Sequence, residues 1–324
     1  MRSPRQFSTV LLLACSLYAC ARDKSGSASA EAPPTQPAAS QPPPDSTRAP
    51  QAVVNGARTM QYTKEIIACG PRYLGSPGHK KVEDYLRAHL KGDEVENDTF
   101  TVDSPEGNFP GHNLIAKFPG KKDGIIVIAS HYDTNYPLRK TSFIGANDGA
   151  ATSALLLELA QHLRGSKLEG YSVWLLWTDA EEAVRTWTAT DSLYGTRHLA
   201  EVWEKDGTLK RIKTFLLADM IGDADLDIQR DTNSTPWVED LVLEAATRLG
   251  YQSHFFAQST GVSDDHLPFV ERGVPVADII DIDYGYNNVF HHTVQDTIDK
   301  LSPRSLEISG DVIWETVQLV NERK

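Results

Sequence analysis

Cysteine is scarce in this chain, with three in 324 residues. Cys15 and Cys20 fall in the first twenty positions, so Cys69 stands alone in the remainder. A lone cysteine excludes an intramolecular disulfide there, and it excludes a cysteine-based zinc site. Cys69 follows Ile66-Ile67-Ala68, a setting that predicts a small buried side chain. Positive charge is also in short supply. Lys and Arg number 32 against 44 Asp and Glu, for a net charge of -12 and a pI near 5.3. That balance argues against nucleic acid as a partner, because no basic surface is available for it. Long hydrophobic runs are missing as well. The stretch 7–18 is apolar but too short for a comfortable membrane span. No internal repeat is visible.

Arg2 and Arg5 precede that short apolar stretch, in the pattern of a signal peptide. It ends in Leu17-Tyr18-Ala19-Cys20, which resembles a bacterial lipobox, where the Cys becomes the lipidated first residue of the mature protein. Leu12-Leu13-Ala14-Cys15 fits the same pattern with a shorter apolar run. Residues 1–20 are therefore expected to be a lipoprotein-type signal peptide. The protein is expected to be exported to the bacterial cell envelope and lipid-anchored through Cys20, periplasmic or at the outer membrane. Membrane contact is expected through that anchor only. Residues 21–51 are rich in Ala, Pro and Ser and include Pro42-Pro43-Pro44. Such a segment has little apolar area to bury, and it is expected to be a disordered tether. Residues 52–324, with ordinary globular composition, are expected to form one catalytic domain.

Hydrophobic periodicity predicts helices over 52–68 and 79–90, then strands over 95–102, 113–118 and 125–130, with a turn at 119–124. From there the pattern alternates. Helices are predicted over 150–163, 192–205 with Asp191 as N-cap, 235–249, 265–272 and 302–320. Strands are predicted over 172–177, 212–218, 254–257 and 274–280. Strands alternating with helices predict an α/β fold with a mostly parallel central sheet and helices on both faces.

The strand ends carry the chemistry. The strand over 125–130 runs into His131-Tyr132-Asp133, and Asp148 opens the next helix. The apolar strand 171–177 runs into Asp179-Ala180-Glu181-Glu182. The following strand ends at Asp219, and the last is followed by His291-His292. Open α/β sheets bind ligands at the carboxyl ends of their strands. His131, Asp148, Glu182, Asp219 and His292 could thus converge on one edge, as a His/carboxylate set suited to a catalytic zinc with an open position. Each also has a plainer reading. Asp148 could cap its helix, His131 could be a satisfied core histidine, Asp219 could bond a loop, and His291-His292 could be solvated.

Together, His131-Tyr132-Asp133, Gly145-Ala146-Asn147-Asp148-Gly149-Ala150, Glu181-Glu182, Asp219-Met220-Ile221-Gly222 and His292-Thr293 resemble the zinc aminopeptidase superfamily. That superfamily includes two-zinc aminopeptidases and the animal-type glutaminyl-peptide cyclotransferases. The stretch 183–200, with Trp187 and Asp191-Ser192-Leu193-Tyr194-Gly195, is similar to the cyclotransferases, as is Ser263-Asp264-Asp265-His266-Leu267-Pro268-Phe269. The resemblance implies a zinc aminopeptidase-like sandwich. It implies one zinc held by Asp148, Glu182 and His292, with Glu181 as general acid/base and Asp219 and Asp264 as its carboxylate network. Trp187 would contact substrate, the N-terminus of a peptide or protein, and the activity implied is pyroglutamate formation with release of ammonia. Carboxylates so close cannot all ionise cheaply, so at least one is expected to hold its proton. The alternative is a two-zinc aminopeptidase in which His131 and Asp219 hold a second ion and Asp148 bridges. Two departures from the animal enzymes stand out. His291 replaces a Trp beside the ligand His, and Ser130 and Ser153 stand where those enzymes have a cysteine pair.

Overall fold

A computed structural model describes residues 46–323. The expectations for the signal peptide, the Cys20 anchor and most of the tether fall outside those residues. The described chain forms an 8-stranded sheet in the order β1-β2-β4-β3-β5-β8-β6-β7. Its strands are β1 (Glu94–Ser104), β2 (Gly107–Phe118), β3 (Gly120–His131), β4 (Leu168–Thr178), β5 (Ile212–Asp219), β6 (Ile228–Asp231), β7 (Phe255–Thr260) and β8 (Val276–Ile280). The centre, β4-β3-β5-β8, is parallel. Antiparallel pairs flank it at β1-β2, β2-β4 and β6-β8.

The helices are α1 (Gly56–Ile67), α2 (Pro77–His89), α3 (Thr152–Leu163), α4 (Tyr194–Asp206), α5 (Pro236–Leu249), α6 (Leu267–Val270) and α7 (Pro303–Glu322). Alternation along the central strands divides the core in two. Ile126, Ile128, Leu216 and Ala218 pack with α1, α3, α5 and α7 on one face. Ile125, Val127, Ala129, Phe215 and Leu217 pack with Leu199 and Trp203 of α4 and Phe269 of α6 on the other. A strand covered on both faces needs apolar side chains at every position, which is why β3 reads Ile-Ile-Val-Ile-Ala. The α/β fold class is as the sequence indicates.

Some boundaries differ, each for a local reason. The first helix starts at Gly56 because Asn55 caps it, its side chain accepting from Arg58 N. The expected turn at 119–124 is mostly the ragged start of β3, which pairs with β4 through register shifts on either side of Lys122. Asp191 does not cap α4, since Leu193 occupies the cap position at φ 53°. The Asp191 carboxylate instead accepts from the amides of Val184, Arg185 and Thr186, at 2.9 Å each. β6 is too short to show periodicity and is absent from the sequence reading. Cys69 is half-buried rather than buried. The folded chain starts before 52: Arg48 pairs with Glu315 and Glu322 of α7, and Arg248 donates to the carbonyls of Ser46 and Arg48.

Candidate active site

Four parallel strands end at one edge, and the turns beyond them are held in costly conformations. Ala180 (φ 56°), Met220 (φ 47°) and His292 (φ 51°) are non-glycine residues in the left-handed region. Each such residue costs about 1–3 kcal/mol and persists only where its surroundings over-determine it. Here they adjoin Glu181, adjoin Asp219, or are the site residue itself. Asp148 sits in an irregular turn between Ala146 and Ala151, followed by Gly149 at φ 86°. A Cβ on Gly149 would lie 2.9 Å from Asp133 O and 3.0 Å from His131 Cε1, so only glycine fits.

These turns bring the expected residues together. His292 Nε2 lies 3.0 Å from Glu182 Oε1 and 3.3 Å from Asp148 Oδ2. His131 Nε2 lies 3.1 Å from Asp148 Oδ1 and 3.4 Å from Asp219 Oδ1. Asp148 is thus shared between two histidines, and each of its oxygens faces a different ring. Glu181 Oε2 is 3.9 Å from His131 Nδ1. A cavity of about 280 Å³ is lined by Asp148, Glu181, Asp219, Asp264, His291 and His292, with Trp187 and Ile280 among its apolar walls. Trp187 is 37% exposed and its Nε1 donates to Ser263 Oγ at 3.2 Å, so it walls the cavity instead of filling a core.

The electrostatics of the site favour a cation. Burial opposes charge on His292, yet Glu182 and Asp148 push the imidazole up to about 11. Asp148 is held well below the carboxylate range: burial opposes its charge, but contacts with His131 and His292 prevail. Glu181 is pushed well above its usual value by burial, which with Asp264 and Glu182 outweighs the opposing pull of His131. Asp264 is raised well above by burial, then by Asp219 and Asp265. The surroundings therefore push the carboxyls of the cluster apart, Asp148 downward and Glu181 and Asp264 upward.

The residues around Asp148, Glu182 and His292 fit a zinc ion. Asp148 Oδ2 is buried without a hydrogen bond. Asn135 Nδ2 donates to Glu182 Oε2 at 2.8 Å, leaving Oε1 toward His292. One imidazole and two carboxylates form a donor set of the catalytic-zinc type, with His292 Nε2 within 3.3 Å of an oxygen of each acid.

Sequence reasoning overlooked the residues that hold the site in shape. Asp133 accepts from the amides of Glu181 at 3.1 Å and Glu182 at 3.3 Å. Asp296 does the same for Asn147 at 2.8 Å and Asp148 at 3.3 Å. Arg72 is fully buried and donates to the carbonyls of Tyr132, Ile144, Gly145 and Asp148. Only Asp133 carried a signal, two positions after His131. Ser130 and Ser153, in place of the cysteine pair, both donate to His131 O, at 3.1 and 2.9 Å. They occupy adjoining places, and neither hydroxyl is orphaned. His291 lines the cavity and packs against His292 at 4.0 Å between ring centroids.

A parallel-centred α/β sheet with a buried His/carboxylate cluster at its carboxyl edge defines a class of enzyme with a metal-seeking site. The model for Peptidase family M28 matches residues 113–317. The chain belongs to that family, on its glutaminyl-cyclase branch. It is 32% identical to the glutaminyl-peptide cyclotransferase of Drosophila melanogaster over 241 residues, 66% of this chain and 68% of that one. It is 51% identical to the solved glutaminyl cyclase of an Acidobacteriales bacterium, with a TM-score of 0.83 over 86% of this chain and 98% of that one. A Zn-dependent exopeptidase from Parabacteroides distasonis shares the fold, with 24% identity and a TM-score of 0.74 over 85% of this chain and 100% of that one.

Proposed function

We infer that this chain is a zinc-dependent glutaminyl-peptide cyclotransferase, which converts the N-terminal glutamine of a peptide or protein into pyroglutamate and releases ammonia. The observation that carries this reading is the convergence of Glu181, Asp219 and Asp264 on one small cavity beside the trio Asp148, Glu182 and His292. That trio would hold the metal. Zinc, when bound, supplies Lewis-acid polarisation of the side-chain amide carbonyl. Glu181 takes a proton from the attacking α-amine and returns one to the departing ammonia. Its raised pKa suits a group that must both accept and give. Asp264 and Asp219 flank Glu181 and share in that proton's electrostatics. Trp187 walls the cavity where the substrate side chain lies. The amine nucleophile arrives with the substrate, so the cavity needs no activated water.

A second reading has its own observation. His131, Asp148 and Asp219 offer ligand atoms within 4.8 Å of one another, which would suit the second ion of an aminopeptidase. Elemental analysis paired with an ammonia assay separates the two. The expected result is one zinc per chain, ammonia from Gln-initiated peptides, and little cleavage of leucine-type substrates. Two tightly bound zincs, with release of N-terminal residues and no ammonia, would transfer the assignment to the aminopeptidase. Export and lipid attachment through Cys20 belong to the same proposal. They are supported by Arg2 and Arg5, the apolar stretch 7–18 and the Leu17-Tyr18-Ala19-Cys20 sequence.

A further inference from the structure

Asp264 lies in the short connection between the end of β7 at Thr260 and the start of α6 at Leu267. A catalytic carboxyl on such a connection needs an external brace. Asp231, the last residue of β6, is fully buried. Its Oδ1 accepts from Val262 N at 2.9 Å and Asn233 N at 3.1 Å. Its Oδ2 accepts from Ser234 Oγ at 2.9 Å and stands 3.1 Å from His266 Nε2. The other ring nitrogen of His266, Nδ1, is 3.5 Å from Asp278 Oδ2 on β8. The Asp278 amide donates to Ser234 Oγ at 2.9 Å, which closes the ring of contacts. Between the two gripped positions, Val262 and His266, stands Asp264, two residues from each. Asp265 adds a third attachment, its carboxylate accepting from the hydroxyls of Thr178 and Thr196.

The geometry points to Asp231 and His266 as positioning residues for Asp264, a role that rests on the cyclase reading of the site. Asp231 holds the connection through the Val262 amide on one side and stands against the His266 ring on the other, and so sets where the Asp264 carboxyl stands relative to Glu181 and Asp219. Asp231, His266 and Asp278 are all completely buried. Well-packed apolar side chains in their place would often be as stable or more so, so stability does not explain the cluster, whereas specification of one local geometry does. The Asp278 carboxyl is pushed well above its usual value by burial, then by Asp264, Asp231 and Asp219.

The test uses the full-length, metal-loaded enzyme. His266→Gln is expected to lower kcat for ammonia release by about 10- to 100-fold, as a small displacement of a catalytic group does, with KM and zinc content retained. Asp231→Asn keeps an acceptor for the Val262 amide and should lose less than Asp231→Ala. The deciding measurement is a double-mutant cycle. In an Asp264→Asn background, His266→Gln should cost nothing further, because its effect passes through Asp264. Equal costs in both backgrounds, or normal kcat in a folded His266→Gln variant, would overturn the proposal. If His266→Gln does not fold, Asp231→Asn, close to isosteric, carries the cycle. If the unmodified enzyme releases no ammonia, the cyclase reading fails, and the cycle is run on the N-terminal peptide substrate it does turn over.

Discussion

Glu181 and Glu182 are adjacent, yet they face different neighbours. Glu182 meets His292 and Asn135, while Glu181 looks toward His131 and Asp264. The left-handed Ala180 before them and the Asp133 carboxylate beneath both amides hold this split. Replacing either residue with Gln therefore tests a different function. Glu181→Gln should keep its zinc and lose about 10²–10⁴ in ammonia release, the usual worth of a general acid/base. Glu182→Gln should lose zinc along with activity, because an amide is a poor substitute for an anionic ligand. Zinc analysis and single-turnover rates on both variants check the assignment. Loss of zinc from Glu181→Gln, with Glu182→Gln retaining it, would reverse the two roles.

At the scale of elements, strands and helices were legible wherever burial imposed a period. The continuous apolar run of β3 and the i, i+3, i+4 leucines of α3 were both read correctly, because packing on the sheet dictates them. The residues meant to meet at the sheet edge do meet, since parallel strands end together. What stayed hidden was long-range and polar. No local pattern announces that Arg72 will gather carbonyls from two loops, or that His79 on α2 will find Asp179 beyond β4. That second pair makes a testable point. His79 Nε2 is 2.7 Å from Asp179 Oδ1, and Asp179 Oδ2 accepts from His112 N at 2.8 Å. Burial opposes charge on His79, but Asp179 and Glu83 raise its pKa from 6.5 to about 9. A pKa raised on folding contributes stability that is fully present below pH 6.5 and is lost as pH rises through 9. The contribution is at most about 3 kcal/mol. His79→Gln should therefore lower the unfolding midpoint most below pH 6.5, and its difference from the unmodified protein should shrink steadily toward pH 9. A difference independent of pH, measured by thermal unfolding in matched buffers, would mean that the pair carries no net charge-linked stability.

At the scale of the whole described chain, residues 46–54 are docked on the domain by named contacts. Glu315 on α7 has a fully buried side chain that meets Arg48 at 2.6 Å and Arg248 at 2.8 Å. Arg248 in turn donates to the carbonyls of Ser46 and Arg48. Val53 and Val54 amides then dock on Asp311 Oδ1, at 2.7 and 2.9 Å, ahead of α1. These contacts lie on α5 and α7, whereas the candidate active site lies beyond the carboxyl ends of the strands, so the proposed anchor at Cys20 would be separable from catalysis. Cys20→Ser should move the protein from the membrane fraction to the soluble fraction with ammonia release unchanged. Persistence in the membrane fraction would end the lipid-anchor proposal. Chain shortening tests the docking itself. Removing residues 1–45 leaves every one of these contacts, and stability should not change. Removing residues 1–51 deletes Arg48 and leaves Glu315 with Arg248 alone, at a cost of about 1–3 kcal/mol for a buried charged group that loses a partner. Denaturant unfolding of the two shortened forms measures the difference, and equal stabilities would show that Arg48 only rests on the domain surface.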